Sequence, residues 1–287
     1  SGQSVACSVN PRAGREREYI YRPAEKPKRV LVIGGGPAGM EAARVAAQNG
    51  HRVTLWEKGD RLGGQLLLAA MAPYKDDMAS LARYLEGQVR EAGVEVRLKE
   101  EVTTQTVKQA KPDAVIVATG AAPFLPDIPG VKGNNVAGAL DVLAGLKDTG
   151  DRVVIVGGRT IGCEVAEFLA VRGKQVTLLA RRERMADDVG PTGRWVLMQR
   201  LRGHSVVMET KVDIREITDK GAKGIREEEP VFFEADTIVL ATGMRSNRKL
   251  AEELQAEGMT VYPVGDCVQP RRIRHAIEEG FRCASQI

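Results

Sequence analysis

Residues 30–39 read VLVIGGGPAG and match residues 153–162, VVIVGGRTIG, at an offset of 123 positions. Three separate blocks of the chain agree in this one register, which indicates that it contains two copies of a single architecture. The two further pairs of blocks are VTL at 53–55 and 176–178, and DAVIVATG at 113–120 with DTIVLATG at 236–243.

Each copy predicts a strand, a glycine-rich turn, a helix and a second strand. In the first copy a continuous apolar run at 30–33, typical of a strand buried on both faces, leads into a helical stretch at 38–48 and a strand at 53–56. The second copy repeats this order with a helix at 162–172 and a strand at 176–179. We therefore expect an α/β protein with two doubly wound, Rossmann-like domains.

The two copies differ in their middle parts. Residues 93–102 match residues 203–212 at an offset of 110, so the first copy is expected to hold about 13 additional residues near 63–65. The second copy regains them around 221–230. The copies are thus predicted to share a framework and to be specialised differently.

Composition excludes several classes of protein. Apolar residues make up 43% and charged residues 28% of the 287 residues, near the averages of globular proteins rather than of disordered or fibrous ones. The 42 Lys and Arg balance 38 Asp and Glu for a net charge of +4, and aromatics are 4%, so nucleic-acid binding is not expected. No apolar run approaches the roughly 18 residues of a membrane helix, and no signal peptide is recognisable, so neither a membrane span nor secretion is expected.

The first glycine cluster has the spacing GxGxxG, formed by Gly34, Gly36 and Gly39. In dinucleotide-binding folds these glycines permit the tight turn, the approach of backbone to the pyrophosphate, and close packing of helix on strand. The phosphates then lie at the helix N-terminus, against its N–H groups and the positive end of its dipole. Glu57, 18 residues beyond Gly39, can accept hydrogen bonds from both hydroxyls of an adenosine ribose. The alternative is an ordinary strand–helix turn followed by a surface glutamate.

Two further segments bear on the kind of dinucleotide. Residues 57–65 read EKGDRLGGQ and residues 264–267 read VGDC. With the two ATG motifs they make the chain resemble the flavoproteins that contain two dinucleotide-binding domains, over about residues 28–287. The resemblance implies FAD in the first domain, with the GGQ segment along its pyrophosphate and ribityl chain and the aspartate of VGDC beside the ribityl or phosphate region. It also implies that the last helix points its N-terminus at the isoalloxazine, where the dipole stabilises negative charge on the reduced ring.

The fingerprint and the resemblance together give the expected FAD site and domain limits. The FAD-binding domain is expected to comprise residues 28–128 and 255–287, with the NAD(P)H-binding domain, 129–254, inserted in it. The residues expected to bind FAD are Gly34, Gly36, Pro37, Ala38, Glu57, Lys58, Gly64, Gln65, Val102, Ala118, Thr119, Gly120, Gly265, Asp266, Ala276 and Ile277.

The second copy departs from the fingerprint at two positions. Glu57 corresponds to Ala180, which is followed by Arg181 and Arg182. A carboxylate at this place favours the free ribose hydroxyl of NAD, whereas arginines favour a 2′-phosphate through charge-assisted hydrogen bonds. The pattern therefore favours NADPH over NADH, the alternative being a solvated run of charges at 181–184.

The other departure is Arg159, which stands where the first copy has Gly36. Its side chain lies where backbone normally meets the pyrophosphate, so it either swings aside and adds a cation or blocks the pocket. We expect nucleotide binding in an adjusted pose. The residues expected to bind the nicotinamide nucleotide are Gly157, Arg159, Thr160, Ile161, Arg181, Arg182 and Gly243.

The cysteines argue against a disulfide reductase. Residues 62–67, LGGQLL, lie where one branch of these flavoproteins carries a redox pair, and they contain no cysteine. The chain also has no CxxC, and Cys163 in the second helix is expected to be a small buried residue. Four cysteines without such pairs favour a reducing, cytoplasmic setting.

The N-terminal segment gives a closer resemblance. CSVNP at 7–11, DVGP at 188–191 followed by RW, and GDC at 265–267 followed by PR and EEGF resemble the multidomain Old Yellow Enzyme relatives. That family includes bacterial 2,4-dienoyl-CoA reductase, 2-enoate reductase and trimethylamine dehydrogenase. The resemblance implies an N-terminal FMN barrel, as a domain or subunit, and a 4Fe-4S cluster whose last ligand is Cys7. One cysteine cannot hold a four-iron cluster, so we expect none in this chain without the missing upstream cysteines.

Residues 1–27 are accordingly expected to form an N-terminal arm, the possible end of the iron–sulfur segment. The arm is basic, but Glu16, Glu18 and Glu25 are interleaved, which disfavours a nucleic-acid tail. Tyr19, Ile20 and Tyr21 form a candidate segment for docking on a partner domain, and a homo-oligomer is also compatible with the sequence.

The expected function is an oxidoreductase module. It passes hydride from NAD(P)H, with NADPH favoured, to FAD, and electrons then pass to an iron–sulfur and FMN barrel that reduces enoate or enoyl-CoA double bonds. No side chain is expected to act as a general acid or base, since the cofactors carry the chemistry. Two alternatives remain: a structural module that holds an adenine nucleotide without hydride transfer, and a standalone NAD(P)H:acceptor reductase.

Overall fold

A computed structural model describes residues 5–21 and 23–287, so the first four residues and Arg22 of the expected N-terminal arm lie outside the described residues. The chain divides into two compact units. The first consists of Ser1–Leu67, Asp76–Ala122 and Arg245–Ile287, and the second of Leu68–Lys75 and Pro123–Met244.

The first unit is built on a five-stranded parallel sheet. Its strands are β1 (Arg29–Ile33), β2 (Arg52–Glu57), β3 (Glu95–Leu98), β4 (Ala114–Val117) and β15 (Val261–Pro263). They are ordered β15-β4-β1-β2-β3, and each neighbouring pair is parallel. All four residues of β4 are buried, as expected for a parallel strand covered on both faces.

Helices cover both faces of this sheet. They are α1 (Pro37–Gln48), α2 (Gln65–Ala69), α3 (Asp76–Glu91), α4 (Thr104–Ala110), α8 (Lys249–Ala256) and α9 (Ile273–Ala284). One core lies beneath α1, α3 and α9 and contains Met40, Leu85 and Phe281. A second core lies beneath α4 and α8, where Val107 and Leu254 pack with residues of the strands.

The second unit repeats the parallel sheet. Its strands are β6 (Val136–Gly138), β7 (Arg152–Val156), β8 (Gln175–Ala180), β9 (Val207–Thr210) and β13 (Thr237–Leu240), ordered β6-β13-β7-β8-β9. Helices α5 (Ala139–Leu143), α6 (Thr160–Ala170) and α7 (Pro191–Gly203) supply one core with the sheet. The predicted fold class, two Rossmann-like parallel-sheet domains with the second inserted in the first, is thereby confirmed.

The chain passes between the units at positions that differ from the expected domain limits. The two main crossings follow Ala122 and Met244, earlier than the expected limits at 128 and 254, and they run as short strands, β5 (Ala121–Pro123) and β14 (Met244–Ser246), which pair with each other. Residues 68–75 also belong to the second unit, although they were expected in the first. None of the helices in 5–21 and 23–287 is long and apolar enough to cross a membrane.

A three-stranded antiparallel sheet was not predicted. It packs on the face of the second parallel sheet that is opposite α5, α6 and α7. It consists of β10 (Val212–Thr218), β11 (Gly221–Arg226) and β12 (Glu229–Glu234). The β11–β12 turn is formed by Glu227 and Glu228, which adopt φ of 46° and 73°. Two-residue hairpin turns of this kind usually carry Asn or Gly, so the two glutamates gave no turn signal.

The predicted break in the register near 63–65 is wrong. Gly63 N–H donates to the Gly35 carbonyl at 2.9 Å, and Ala186 N–H donates to the Gly158 carbonyl at 2.7 Å, which is the same bond shifted by 123 positions. The next bond also agrees, since Leu66 N donates to Gly63 O as Val189 N donates to Ala186 O. The additional residues of the first copy therefore begin only after this point, where the chain enters the second unit as residues 68–75.

The N-terminal arm packs against its own unit. The Tyr19 ring stacks on Phe281 with centroids 5.2 Å apart, and Tyr21 meets the same ring edge-on at 5.8 Å. Arg15 forms an ion pair with Glu278 of the same helix, α9. The two tyrosines that were expected to dock on a partner domain are thus engaged within the chain.

A buried ion pair in the second unit generates a stability prediction. Glu167 of α6 is 1% exposed, and its carboxylate accepts hydrogen bonds from Arg200 of α7 at 2.6 and 3.1 Å. We expect Arg200→Ala to destabilise the protein by about 3 kcal/mol or more, because it leaves a buried carboxylate without its partner. Lys223→Ala, which breaks an exposed pair with Glu216, should cost less than about 1 kcal/mol. Urea unfolding of the three proteins measures this, and equal midpoints would contradict it.

Candidate functional site

Two glycines hold the first turn in a conformation that no other residue can adopt without displacement. Gly34 has φ of +106°, and a Cβ there would stand 2.4 Å from the Ala118 carbonyl oxygen. A Cβ on Gly39 would stand 1.9 Å from the Gly34 carbonyl oxygen, so α1 packs directly on the end of β1. Gly36 is different, because a Cβ there meets no atom within 4 Å. The middle glycine is therefore not required by the fold and leaves open space in front of the helix.

The Glu57 carboxylate is fixed at this turn by backbone. Its Oε2 accepts a hydrogen bond from Gly35 N–H at 2.6 Å, and its Oε1 accepts one from Gly59 N–H at 2.7 Å. Each oxygen retains lone pairs for a further donor. Lys58, next to Glu57, is exposed. The open space at Gly36 and the oriented carboxylate together fit the pyrophosphate and ribose of a dinucleotide.

The GGQ segment reaches the same place. A Cβ on Gly64 would stand 2.9 Å from the Gly36 Cα, and the Gln65 side-chain amide donates to the Ala121 carbonyl at 3.2 Å. The Thr119 hydroxyl donates to the Asn247 carbonyl at 2.8 Å. The structure thus brings the expected residues of the 57–65 and 118–121 segments together at the carboxyl ends of β1 and β4.

The C-terminal motif packs against the first turn of α1. A Cβ on Gly265 would stand 2.8 Å from Ala38 Cβ, with Ala276 of α9 at 3.8 Å. The Asp266 Oδ1 accepts a hydrogen bond from Arg271 N–H at 3.0 Å, and burial raises the pKa of this carboxyl. Gly265, Asp266, Ala38 and Ala276 therefore lie together, as the sequence predicts.

Two of the expected FAD residues have side chains turned to the core. Ile277 is 0% exposed and belongs to the core beneath α1 and α9. Val102 is half-buried against the core beneath α4 and α8. If Ile277 contacts a ligand, it can therefore do so only through its backbone atoms.

The second turn has the same backbone as the first. Gly157 has φ of +123°, and a Cβ on Gly162 would stand 1.8 Å from the Gly157 carbonyl oxygen. Arg159 has φ −84° and ψ −176°, close to the φ −75° and ψ −179° of Gly36. This extended backbone is open to any residue, so the arginine replaces glycine without altering the turn.

The Arg159 side chain does not extend freely into solvent. Its Nε lies 3.5 Å from Asp188 Oδ2 and 3.8 Å from Asp187 Oδ1. The Asp188 Oδ1 also accepts a hydrogen bond from Thr160 N–H at 3.1 Å, at the N-terminus of α6. Arg182 forms an ion pair with Asp187. A carboxylate thus occupies the part of the helix N-terminus that an anion would approach, so this turn fits a phosphate less well than the first.

The remaining expected residues of the second site, and Ala180 beside them, differ in their surroundings. Ala180 is buried at the end of β8, Arg181 is exposed, Ile161 packs against the core, and Gly243 has φ of +109°. Asp187 and Asp188 were not predicted to lie at this site. The available signal was their position, 123 residues beyond Gly64 and Gln65.

The buried thiols do not favour thiolate chemistry. Burial raises the pKa of Cys163 to about 12, and burial also raises the pKa of Cys267. Cys7 Sγ, by contrast, accepts hydrogen bonds from Asn10 N–H and Val9 N–H, which lower its pKa. Within the described part of the chain, no three His, Cys, Asp or Glu side chains are grouped to hold a metal ion.

Comparison with known proteins agrees with this geometry. A family model described as pyridine nucleotide-disulphide oxidoreductase matches residues 28–280. The chain is 38% identical to an NADH oxidase of Thermoanaerobacter brockii, over 99% of this chain and 44% of that protein. It is 35% identical to a cinnamate reductase of Clostridium sporogenes, over 99% of this chain and 43% of that protein.

A solved structure shows the same relationship. The complex of 2-naphthoyl-CoA reductase with 2-naphthoyl-CoA superposes with a TM-score of 0.95 and 36% identity, covering 98% of this chain and 43% of that one. The chain thus spans under half the length of the relatives it matches. It belongs to the pyridine nucleotide-disulphide oxidoreductase family, and it is the FAD- and NAD(P)H-binding module found in multidomain Old Yellow Enzyme-like reductases.

Proposed function

We propose that this chain transfers hydride from NADPH to FAD and delivers the electrons to a barrel that carries FMN and a 4Fe-4S cluster. The final reaction is the reduction of a carbon–carbon double bond in an enoate or enoyl-CoA. The observation that carries the proposal is the pair of superimposable glycine turns, one built around Glu57 and the other around arginines. The printed names of two relatives, a cinnamate reductase and a 2-naphthoyl-CoA reductase, support the substrate class.

The protein's own contribution is binding and orientation. When bound, FAD accepts the nicotinamide hydride and returns the two electrons to an acceptor. We assign the N-terminus of α1 to the FAD pyrophosphate and the Glu57 carboxylate to the adenosine ribose. The N-terminus of α9 supplies a positive dipole end for the flavin ring. We assign FAD to the first compact unit and NADPH to the second.

The assignment of NADPH depends on the end of β8. Ala180 provides no carboxylate to repel a 2′-phosphate, and Arg181 and Arg182 follow it. To bind the 2′-phosphate, Arg182 must break its ion pair with Asp187, which reduces the net free energy of NADPH binding gained from the new contact. The similarity to an NADH oxidase makes NADH the competing cosubstrate.

The proposed electron acceptor, the barrel with FMN and a 4Fe-4S cluster, is supported by the position of Cys7 in the N-terminal arm and by the length of the relatives. The relatives are more than twice as long as this chain, and Cys7 lies in an arm that packs on α9. We assign Cys7 as one ligand of the cluster, with three further cysteines supplied by the barrel. Four free cysteines favour a reducing, cytoplasmic setting for the enzyme.

A structural role without hydride transfer is the second candidate. It is favoured by one observation, the occupation of the α6 N-terminus by Asp188. Visible flavin absorbance that bleaches on addition of NADPH under anaerobic conditions separates the two, since a structural adenine nucleotide is colourless there.

The first prediction for this site concerns Gly36. Because a Cβ at this position meets no atom of the protein, Gly36→Arg should leave the fold intact. Gly64 and Gln65 stand where the second turn has Asp187 and Asp188, so no carboxylate there holds the new side chain aside, and it should exclude the FAD pyrophosphate. We expect flavin retention to be lost while the circular dichroism spectrum is unchanged. Gly87→Arg is the matched control, since Gly87 also faces open space in the same unit and should leave the protein yellow. A Gly36→Arg protein with full flavin content would contradict the FAD assignment.

The second prediction concerns cosubstrate preference. Changing Arg181 and Arg182 together to Ala should lower the affinity for NADPH by roughly ten- to a hundredfold, because a charge-assisted contact is worth about 1.5–3 kcal/mol. NADH, which lacks the 2′-phosphate, should be affected much less. Stopped-flow measurement of flavin reduction at varied nucleotide concentration gives the apparent dissociation constants of NADPH and of NADH. Equal losses for the two nucleotides would instead indicate general electrostatic steering and refute the NADPH assignment.

The third prediction concerns Arg159. Its guanidinium neutralises Asp187 and Asp188 and stands beside the expected pyrophosphate position. Arg159→Gly should therefore weaken nicotinamide nucleotide binding by about tenfold, since two carboxylates would then face the phosphates with one cation fewer. Titration calorimetry with NADPH decides the outcome, and tighter binding by the glycine variant would show that Arg159 blocks the pocket.

A further inference from the structure

The loop between β8 and α7 is fastened to the glycine turn of the second unit. Ala186 is fully buried with φ of +49°, and its N–H donates to the Gly158 carbonyl at 2.7 Å. The same bond in the first unit holds the GGQ segment, whose glycine at position 64 lies beside Gly36. The next two residues of the loop, Asp187 and Asp188, therefore take the places that Gly64 and Gln65 have in the first unit.

The consequence is an anion built into the second turn. One Asp188 oxygen accepts the Thr160 N–H at 3.1 Å, and the other lies 3.5 Å from Arg159 Nε. Both donors are those that a phosphate at this helix N-terminus would use. The corresponding helix in the first unit begins with Pro37, which has no N–H, and in the described residues no side chain caps it.

We infer that Asp188 is an internal competitor of the nicotinamide nucleotide and sets the affinity of the second site. A pyrophosphate and a carboxylate cannot share the α6 N-terminus, because both are anions that require the same N–H and the same guanidinium. The nucleotide must displace Asp188, and Arg159 then exchanges a carboxylate for a phosphate. The inference rests on the proposed nicotinamide site.

The two side chains differ in how freely they can take part in this exchange. The Arg159 side chain is 61% exposed, so its guanidinium can follow a ligand. The Asp188 side chain is 24% exposed and is held by the hydrogen bond from Thr160 N–H and the ion pair with Arg159. The pyrophosphate is common to NADH and NADPH. Asp188 therefore lowers the affinity for both nucleotides equally, whereas the ion pair of Asp187 with Arg182 adds a cost that only the 2′-phosphate of NADPH meets.

The test is Asp188→Asn. The amide oxygen of asparagine still accepts the Thr160 N–H, so the helix remains capped while the negative charge is removed. NAD⁺ and NADP⁺, which carry the same pyrophosphate and cannot pass hydride to the oxidised flavin, are titrated calorimetrically into the purified, flavin-containing chain. We expect both dissociation constants to fall by roughly tenfold. Asp188→Ser, which also caps helices, gives a second variant if the first is poorly folded, and it should tighten binding in the same way.

Asp213→Asn is the matched control. Asp213 lies in the same unit and, like Asp188, forms an ion pair with an arginine, Arg215, at 2.7 Å. The substitution changes the net charge of the chain by the same amount as Asp188→Asn. Its nucleotide affinities should equal those of the wild type. Thermal unfolding of all variants shows whether the cap has been kept.

The outcomes separate this inference from the proposed function. If the wild type binds and Asp188→Asn binds equally or more weakly, Asp188 is only a helix cap and the inference is overturned, while the proposed function stands. If only the variant binds, the inference holds and the wild-type chain is not an NAD(P)H oxidoreductase of the proposed kind. If neither protein binds either nucleotide, both are overturned.

Discussion

A contact between helix and strand that is too close for any side chain underlies both nucleotide-binding turns. A Cβ on Gly39 or Gly162 would stand less than 2 Å from the carbonyl oxygen of the first glycine of its turn. Each helix can rest on the end of its strand only because these positions carry no Cβ. The constraint places the positive end of each helix dipole at the carboxyl edge of a parallel sheet, where a bound phosphate would lie.

The middle position of the turn is free of this constraint, and there the two copies diverge. Gly36 and Arg159 share nearly the same backbone angles, so the second turn carries a different charge on the same backbone shape. The added guanidinium comes with two carboxylates, Asp187 and Asp188, which partly neutralise it. The fold is thus held by the outer glycines, while the ligand preference is open to variation at the middle one.

Much of this architecture was readable from local patterns. The apolar runs, the glycine spacing and the 123-residue repeat predicted both parallel sheets and the position of Glu57, because these depend on residues close in sequence. The β11–β12 hairpin was not predicted, because Glu227 and Glu228 occupy left-handed turn positions that glycine or asparagine usually fill. The Asp188 contact was not predicted because it joins residues 28 positions apart through a buried turn at Ala186. Only the 123-residue correspondence with Gly64 and Gln65 pointed to this position.

The different charges at the two turns suit two different residence times. A flavin that stays bound benefits from an open helix N-terminus and from a Glu57 carboxylate that two backbone N–H groups already orient, because little must reorganise on binding. A nicotinamide nucleotide must leave after each hydride transfer, and very tight binding would slow that step. In the proposed nicotinamide site, an internal carboxylate that recaptures the vacated N–H and guanidinium would lower the cost of departure. The same backbone can therefore hold a resident cofactor in one copy and release a cosubstrate from the other.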